Sequence, residues 1–247
     1  MSNIAVILAG GTGKRMGSPV PKQFMDLQGR AVIEYSIETF DRHPAIDEVA
    51  VVVHPDWRGK MEEIAAARGW EKLRRIIDGG SERYMSSLNA IMAYINEADD
   101  TNLLLHDAAR PMVSTEIVDR VVAALRRHEA VGVAVPSTDT VWEVHPDMGE
   151  ALTDTSEKCE VGRFVARIPE RRLMWRAQTP QAFRLPLIRD AYQRALQDPL
   201  FQATDDAGVV RKYMPGTKIT VVAGEERNMK ITRADDLSVM LKYINNG

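Results

Sequence analysis

An apolar run, Ile4-Ala5-Val6-Ile7-Leu8-Ala9, passes straight into Gly10-Gly11-Thr12-Gly13-Lys14-Arg15-Met16, and Pro21-Lys22-Gln23 follows. This reads as a buried strand entering a glycine-rich turn. Glycine tolerates φ > 0 and close backbone approach, so both are expected at positions 10, 11 and 13. Backbone N–H groups turned toward one point make an anion nest. Lys14, Arg15 and Lys22 add charge suited to a polyphosphate. Two better-known glycine patterns do not fit. A Walker loop needs Ser or Thr after Gly-Lys, and here Arg15 stands there; a dinucleotide fingerprint needs a third glycine where Met16 stands. The expected ligand is a nucleoside triphosphate. The alternative is a bare βα turn, which has no use for two spaced cations.

At 247 residues the chain has room for one α/β domain, residues 1–247, with an appendage. A net charge of −3 gives no basic balance for nucleic acid. One cysteine, Cys159, excludes an intrachain disulfide and fits a reducing cytoplasm. No secretory leader and no membrane span are expected, because the first apolar run is short and ends in glycine. Apolar runs at Asn3–Leu8, Glu48–Val53, Arg74–Ile77, Leu103–Leu105 and Val131–Val135 predict strands covered on both faces. Helical patterns lie between them at Val32–Phe40, Trp57–Arg68, Arg83–Asn96 and Thr115–Arg127, the last with Ser114 as N-cap. Such alternation predicts an open, mostly parallel sheet with ligands at the C-terminal strand ends. The glycine turn, Asp78-Gly79-Gly80 and His106-Asp107 all follow strands and converge there.

From Ser137 to about Arg172 the rhythm breaks. Asp139–Val144 and Arg163–Arg167 alternate like two exposed strands joined by the polar stretch 146–162. A two-stranded ribbon is marginal alone. A partner subunit is expected to cover it; a solvated hairpin is the alternative. Asp107, at a strand end facing the glycine turn, suits Mg²⁺, which takes one or two carboxylates plus phosphates and water. Its alternative is a cap on the next helix. The loop Gly79–Ser86 offers backbone and Ser86 to a base edge, with Ser81 also readable as a cap. Gln178–Phe183 reads as a site wall or turn. Lys230, after a strand at Lys218–Val222 and before a helix opening at Arg233, can reach a transferred phosphate; a surface lysine is the alternative. The histidines and the lone cysteine have no zinc spacing.

In order along the chain, Leu8-Ala9-Gly10-Gly11-x-Gly13-x-Arg15-Met16, Pro21-Lys22-Gln23, Gly79-Gly80-x-x-Arg83-x-x-Ser86, His106–Pro111, Asp139-Thr140, Gln178-Thr179-Pro180-Gln181-x-Phe183 and Asn228-x-Lys230-Ile231-Thr232 resemble the 2-C-methyl-D-erythritol 4-phosphate cytidylyltransferases, with the ribitol-5-phosphate cytidylyltransferases as close relatives. The resemblance implies a Rossmann-like nucleotidyltransferase fold in three layers and a homodimer with an exchanged β-arm at about 137–172. It implies CTP and a small polyol phosphate as substrates, Mg²⁺ as cofactor and a cytoplasmic enzyme of isoprenoid precursor synthesis. Arg15, Lys22 and Lys230 resemble the catalytic cations on the phosphates. Ala9, Gly80 and Ser86 resemble the cytosine-reading positions. Gly10, Gly11, Thr12, Gly13, Ser81, Arg83, Asp107 and Ala108 complete the CTP site, and Asp107 resembles the metal ligand. Thr140, Arg171 and Arg110 fall at the acceptor. Trp142 stands where the methylerythritol enzymes usually carry lysine, and the arm is lengthened between Val144 and Ile168. Methylerythritol phosphate is the expected acceptor; ribitol 5-phosphate is the alternative, and a non-catalytic nucleotide-binding subunit a remote one.

Overall fold

Strand β1, Asn3–Ala9, is buried along its whole length. The computed structural model describes residues 1–11, 20–146 and 163–245. They form two compact units, Met1–Ala134 with Ala177–Gly247, and Val135–Arg176.

In the first unit β1 pairs in parallel with β2 (Glu48–Val53) and β4 (Asn102–Asp107), and β2 with β3 (Leu73–Asp78). The sheet continues through β8 (Trp175–Arg184), β5 (Ala130–Pro136) and β9 (Thr220–Ala223), in the order β3-β2-β1-β4-β8-β5-β9. Successive side chains of a strand point to opposite faces. Ala5, Ile7 and Ala9 therefore enter one core with α1 (Val32–Arg42), α2 (Arg58–Arg68) and α4 (Thr115–Leu125). Ile4, Val6 and Leu8 enter a second core with α3 (Arg83–Ala93), α5 (Leu185–Ala195) and α6 (Asp206–Tyr213). Burial on both faces is why β1 reads as an unbroken apolar run. A third cluster, Leu27, Val32, Ile231 and Met240, seats α7 (Asp235–Asn245) beneath the segment that carries Lys230.

The mostly parallel sheet and Ser114 match expectation; the Ser114 hydroxyl accepts the Ile117 N–H at 3.2 Å. The differences are local. Trp57 belongs to a 3₁₀ turn, Pro55–Trp57, ahead of α2. The helices after Arg83 and Thr115 stop at Ala93 and Leu125, and the helix expected at Arg233 begins at Asp235. The strand expected from Lys218 begins at Thr220. Helices α5 and α6 were not expected at all. The largest correction is Gln178–Phe183. It is no turn but part of β8, which runs antiparallel to β4 inside the sheet, with Leu103 opposite Phe183 and Leu105 opposite Gln181.

The second unit holds a ribbon of β6 (Glu143–Pro146) and β7 (Arg163–Arg167), paired antiparallel. Its first strand starts at Glu143 rather than Asp139. Trp142, Phe164, Ile168 and Leu173 are each about 60% exposed, so this unit covers little of its own apolar surface. Cys159 and the stretch joining the two strands lie outside the described residues.

Candidate active site

The order β3-β2-β1-β4 reverses direction at β1, which makes the β1/β4 junction a switch point where open α/β sheets bind ligands. Leu8 lies opposite Asp107 in the register, so the glycine turn and the Asp107 carboxylate leave the sheet side by side. The Ala108 N–H donates to the Leu8 carbonyl at 3.0 Å and ties the two exits together.

Asp107 sits among three cations. Lys230 Nζ is 2.8 Å from Oδ2, Arg83 Nε is 3.5 Å from Oδ1, and Arg110 Nε is 3.8 Å from Oδ2. Burial alone pushes the Asp107 carboxyl up; Lys230, then Arg83 and Arg110, outweigh it and hold the group well below the usual carboxylate range. Arg83 also reaches Asp206 at 2.8 Å, and the Tyr192 hydroxyl donates to the other oxygen of Asp206 at 2.6 Å. Burial draws the Arg83 pKa down, but Asp206 and Asp107 carry it above its ordinary value. Asp206–Arg83–Asp107–Lys230 thus alternates in charge across the floor of the switch point, with the Tyr192 hydroxyl at its end. Asp107 is no helix cap, and Lys230 is no free surface lysine.

Lys22 opens a 3₁₀ turn, Lys22–Phe24, started by Pro21 at φ −59°. Its ammonium donates to the Ile231 carbonyl at 2.7 Å, next to Lys230. Gln23, quoted in the motif without a role, is 3% exposed. Its amide donates to the carbonyls of Ala9 at 2.7 Å and Gly11 at 2.8 Å.

Gly10 and Gly11 do not take up positive φ, contrary to expectation; the positive-φ glycines among the described residues are Gly29 and Gly69. Gly10 is needed for close approach, since a Cβ there would lie 2.4 Å from Ser86 Oγ. Ser86 is 2% exposed and accepts the Gly80 N–H at 3.3 Å, so it shapes the second loop from inside. Half-buried Gly80 and exposed Ser81 form that loop's surface. Ser81 is not a cap: the N-cap position is Glu82, and the Ser81 hydroxyl meets Met85 Sδ at 3.2 Å.

Behind the floor lies a buried polar lattice. The Asp107 N–H donates to Thr179 Oγ1 at 3.0 Å, and Thr179 Oγ1 is 3.0 Å from His106 Nδ1. His106 Nε2 faces the Arg110 carbonyl at 3.0 Å. A carbonyl only accepts, so the proton sits on Nε2 and the threonine hydroxyl donates to bare Nδ1. Burial pushes the His106 pKa down to about 4. Arg110, expected at the acceptor, is braced by backbone carbonyls. It is 9% exposed, its terminal nitrogens donate to the carbonyls of Asn228 (2.8 Å) and Ala177 (3.3 Å), and its Nε has no hydrogen-bond partner. Asn228 in turn donates to the Thr179 carbonyl at 2.9 Å. Asp206, Thr179 and Asn228 were missed as site residues; Gln178-Thr179 and Asn228 stood in motifs, but no local pattern says that such polar groups will be buried.

Thr12, Gly13, Lys14, Arg15 and Met16 lie outside the described residues. Thr140 and Arg171 are exposed in the second unit, Arg171 at the start of a 3₁₀ turn, Arg171–Leu173. Among the described residues no group of three or more His, Cys, Asp or Glu side chains could hold a metal by itself. No helix among them is long and apolar enough to cross a membrane.

A switch point lined by a glycine turn, a shielded carboxylate and lysines from two separate segments defines a nucleotide-handling α/β transferase. Comparison with known proteins makes the class particular. A family model described as "IspD: 2-C-methyl-D-erythritol 4-phosphate cytidylyltransferase" matches residues 3–246, and the chain belongs to this family of nucleotidyltransferase enzymes. A 2-C-methyl-D-erythritol 4-phosphate cytidylyltransferase of Thermobifida fusca is 43% identical over 98% of this chain and 93% of its own. The bifunctional ribulose 5-phosphate reductase/CDP-ribitol pyrophosphorylase Bcs1 of Haemophilus influenzae is 37% identical over 96% of this chain and 47% of its own. The crystal structure of 4-diphosphocytidyl-2C-methyl-D-erythritol synthase from Anaerococcus prevotii superposes with a TM-score of 0.81 at 29% identity, covering 99% of this chain and 98% of that one.

Proposed function

We propose that the chain transfers the cytidylyl group of CTP to 2-C-methyl-D-erythritol 4-phosphate and releases pyrophosphate. The observation that carries the reading is the Lys230–Asp107 pair at the switch point, beside Lys22 and the glycine turn. A phosphate oxygen of the acceptor attacks the α-phosphorus in line, and the pyrophosphate oxygen leaves. The reaction needs no covalent enzyme intermediate, and catalysis is positioning and charge neutralisation. Arg15 and Lys22 clamp the triphosphate. Lys230 exchanges its Asp107 partner for the α-phosphate as the substrate arrives. Ala9, Gly80 and Ser86 form the cytosine-reading site. Thr140 and Arg171, supplied by the arm of a second copy, hold the acceptor phosphate, where a guanidinium matches phosphate geometry.

Mg²⁺ takes one or two carboxylates and fills the rest of its shell with phosphate oxygens and water. Asp107 is the residue that would hold it, and Oδ1, whose nearest cation is 3.5 Å away, is the available oxygen. The ion supplies charge neutralisation on the phosphates. The exposed apolar side chains of the second unit support a homodimer. The ribitol 5-phosphate reading is favoured by Leu8-Ala9-Gly10-Gly11-Thr12-Gly13, His54-x-Asp56-Trp57 and Ile168-Pro169-x-Arg171, by Trp142 in place of a cation, and by the name of the Haemophilus influenzae relative. The test is turnover with CTP and each acceptor in parallel. A higher kcat/KM for methylerythritol phosphate supports the proposal, and a higher value for ribitol 5-phosphate overturns its acceptor.

A further inference from the structure

We infer that Gln23 is a positioning residue for the nucleotide: its side-chain amide sets the orientation of the backbone at 9–11, where the glycine turn begins. The inference rests on the nucleotide reading above.

The argument starts from the peptide plane. A trans peptide holds its C=O and N–H antiparallel, so fixing one fixes the other. Gln23 Nε2 draws the Ala9 carbonyl toward itself at 2.7 Å, and the N–H of Gly10, in the same plane, is thereby aimed away from Gln23. The Gly11 carbonyl is held from the same nitrogen at 2.8 Å, so both amide protons are used. Both partners are carbonyls, so the amide orientation is dictated by chemistry, an oxygen in that place being repelled. The side chain is buried, and the 3₁₀ turn that carries it is closed on itself and anchored on two sides. Phe24 stacks on Trp57 with ring centroids 5.1 Å apart, the Phe24 N–H donates to the Pro21 carbonyl at 2.8 Å, and Lys22 reaches the Ile231 carbonyl. One three-residue turn therefore ties the glycine turn to the segment bearing Lys230. Glycine has high backbone freedom, and this brace restrains the first two glycines before a ligand arrives, which is preorganisation of the backbone at 9–11.

The experiment compares Gln23→Glu and Gln23→Met with the wild-type chain. Glu has the same shape but, ionised, no donor; Met has neither donor nor charge. Three quantities are read: amide hydrogen exchange of the turn without nucleotide, the Kd for CTP by calorimetry, and the KM of CTP against that of the acceptor. The expectation is faster exchange in the turn and CTP binding weakened about tenfold for Met and further for Glu, with the acceptor KM within about twofold. Wild-type exchange and wild-type CTP affinity in Gln23→Met overturn the inference even if Gln23→Glu does not fold. Equal rises in both KM values overturn it too, because they report general loosening rather than a brace on the nucleotide side. If the wild-type chain binds no CTP, the nucleotide reading falls, and exchange in the turn alone decides whether Gln23 braces it.

Discussion

Asp107→Asn tests the electrostatics of the pocket floor. The substitution keeps shape and removes one negative charge. Arg83, Arg110 and Lys230 then face Asp206 alone, so the local balance moves from one surplus cation to two. The Asp107 side chain is 11% exposed and that of Lys230 33%. Removing one partner of a fully buried pair costs about 3–5 kcal/mol; the half-open lysine lowers this to about 2–3 kcal/mol. In a chain of this size that is a fall in Tm of about 5–10 °C, measured by thermal melts without nucleotide or metal. Lys230→Met removes the stranded cation, so the double variant should recover about half of the loss, and the cycle with both single variants should give a coupling of about 1 kcal/mol or more. Asp107→Asn should also lose Mg²⁺-dependent turnover at temperatures where it is still folded, an amide being a poorer ligand for a hard cation. If Asp107→Asn melts within a degree of wild type and the cycle shows no coupling, the pair is an ordinary surface pair and the reasoning is wrong.

Gly80→Ala would put a Cβ 2.2 Å from the Met85 Cβ and 3.3 Å from its backbone, atoms that a rotamer change does not move. The loop must shift, and the KM for CTP should rise about tenfold or more with a smaller change in Tm; an unchanged KM would remove this loop from the nucleotide site. His106 is neutral when folded with a pKa of about 4, against about 6.5 unfolded, so the unfolded chain binds the extra proton. Its contribution is present above pH 6.5 and lost toward pH 4, about 2 kcal/mol being gone by pH 4.5. Urea midpoints from pH 7 to 4.5 should therefore fall less steeply in His106→Gln, and parallel curves would refute the assignment. Sedimentation should give a homodimer that dissociates when the ribbon at 137–172 is shortened; an intact chain that is monomeric and fully active would contradict the exchanged arm.

What was legible in the sequence is what local chemistry decides. β1, β2 and β5 show as apolar runs because a strand covered on both faces favours apolar side chains at successive positions. The glycines at 10, 79 and 80 mark turns because glycine pairs after apolar runs punctuate the chain. Asp107 and Lys230 were legible as residues at strand and segment ends. Tertiary structure alone decided their pairing, which joins positions 123 residues apart. It also decided that Gly10 is required by contact with Ser86 rather than by its own φ, and that Gln23 serves the turn. The polar stretch Gln178–Phe183 looked like a turn because a polar side chain is normally solvated. Inside the sheet Gln178, Thr179 and Gln181 are at most 5% exposed, and Asn228, Asp107 and Asp205 supply the hydrogen bonds that make their burial affordable. Apolar burial follows from a residue's own nature, so it is written locally. Polar burial depends on partners that only the folded chain brings within reach.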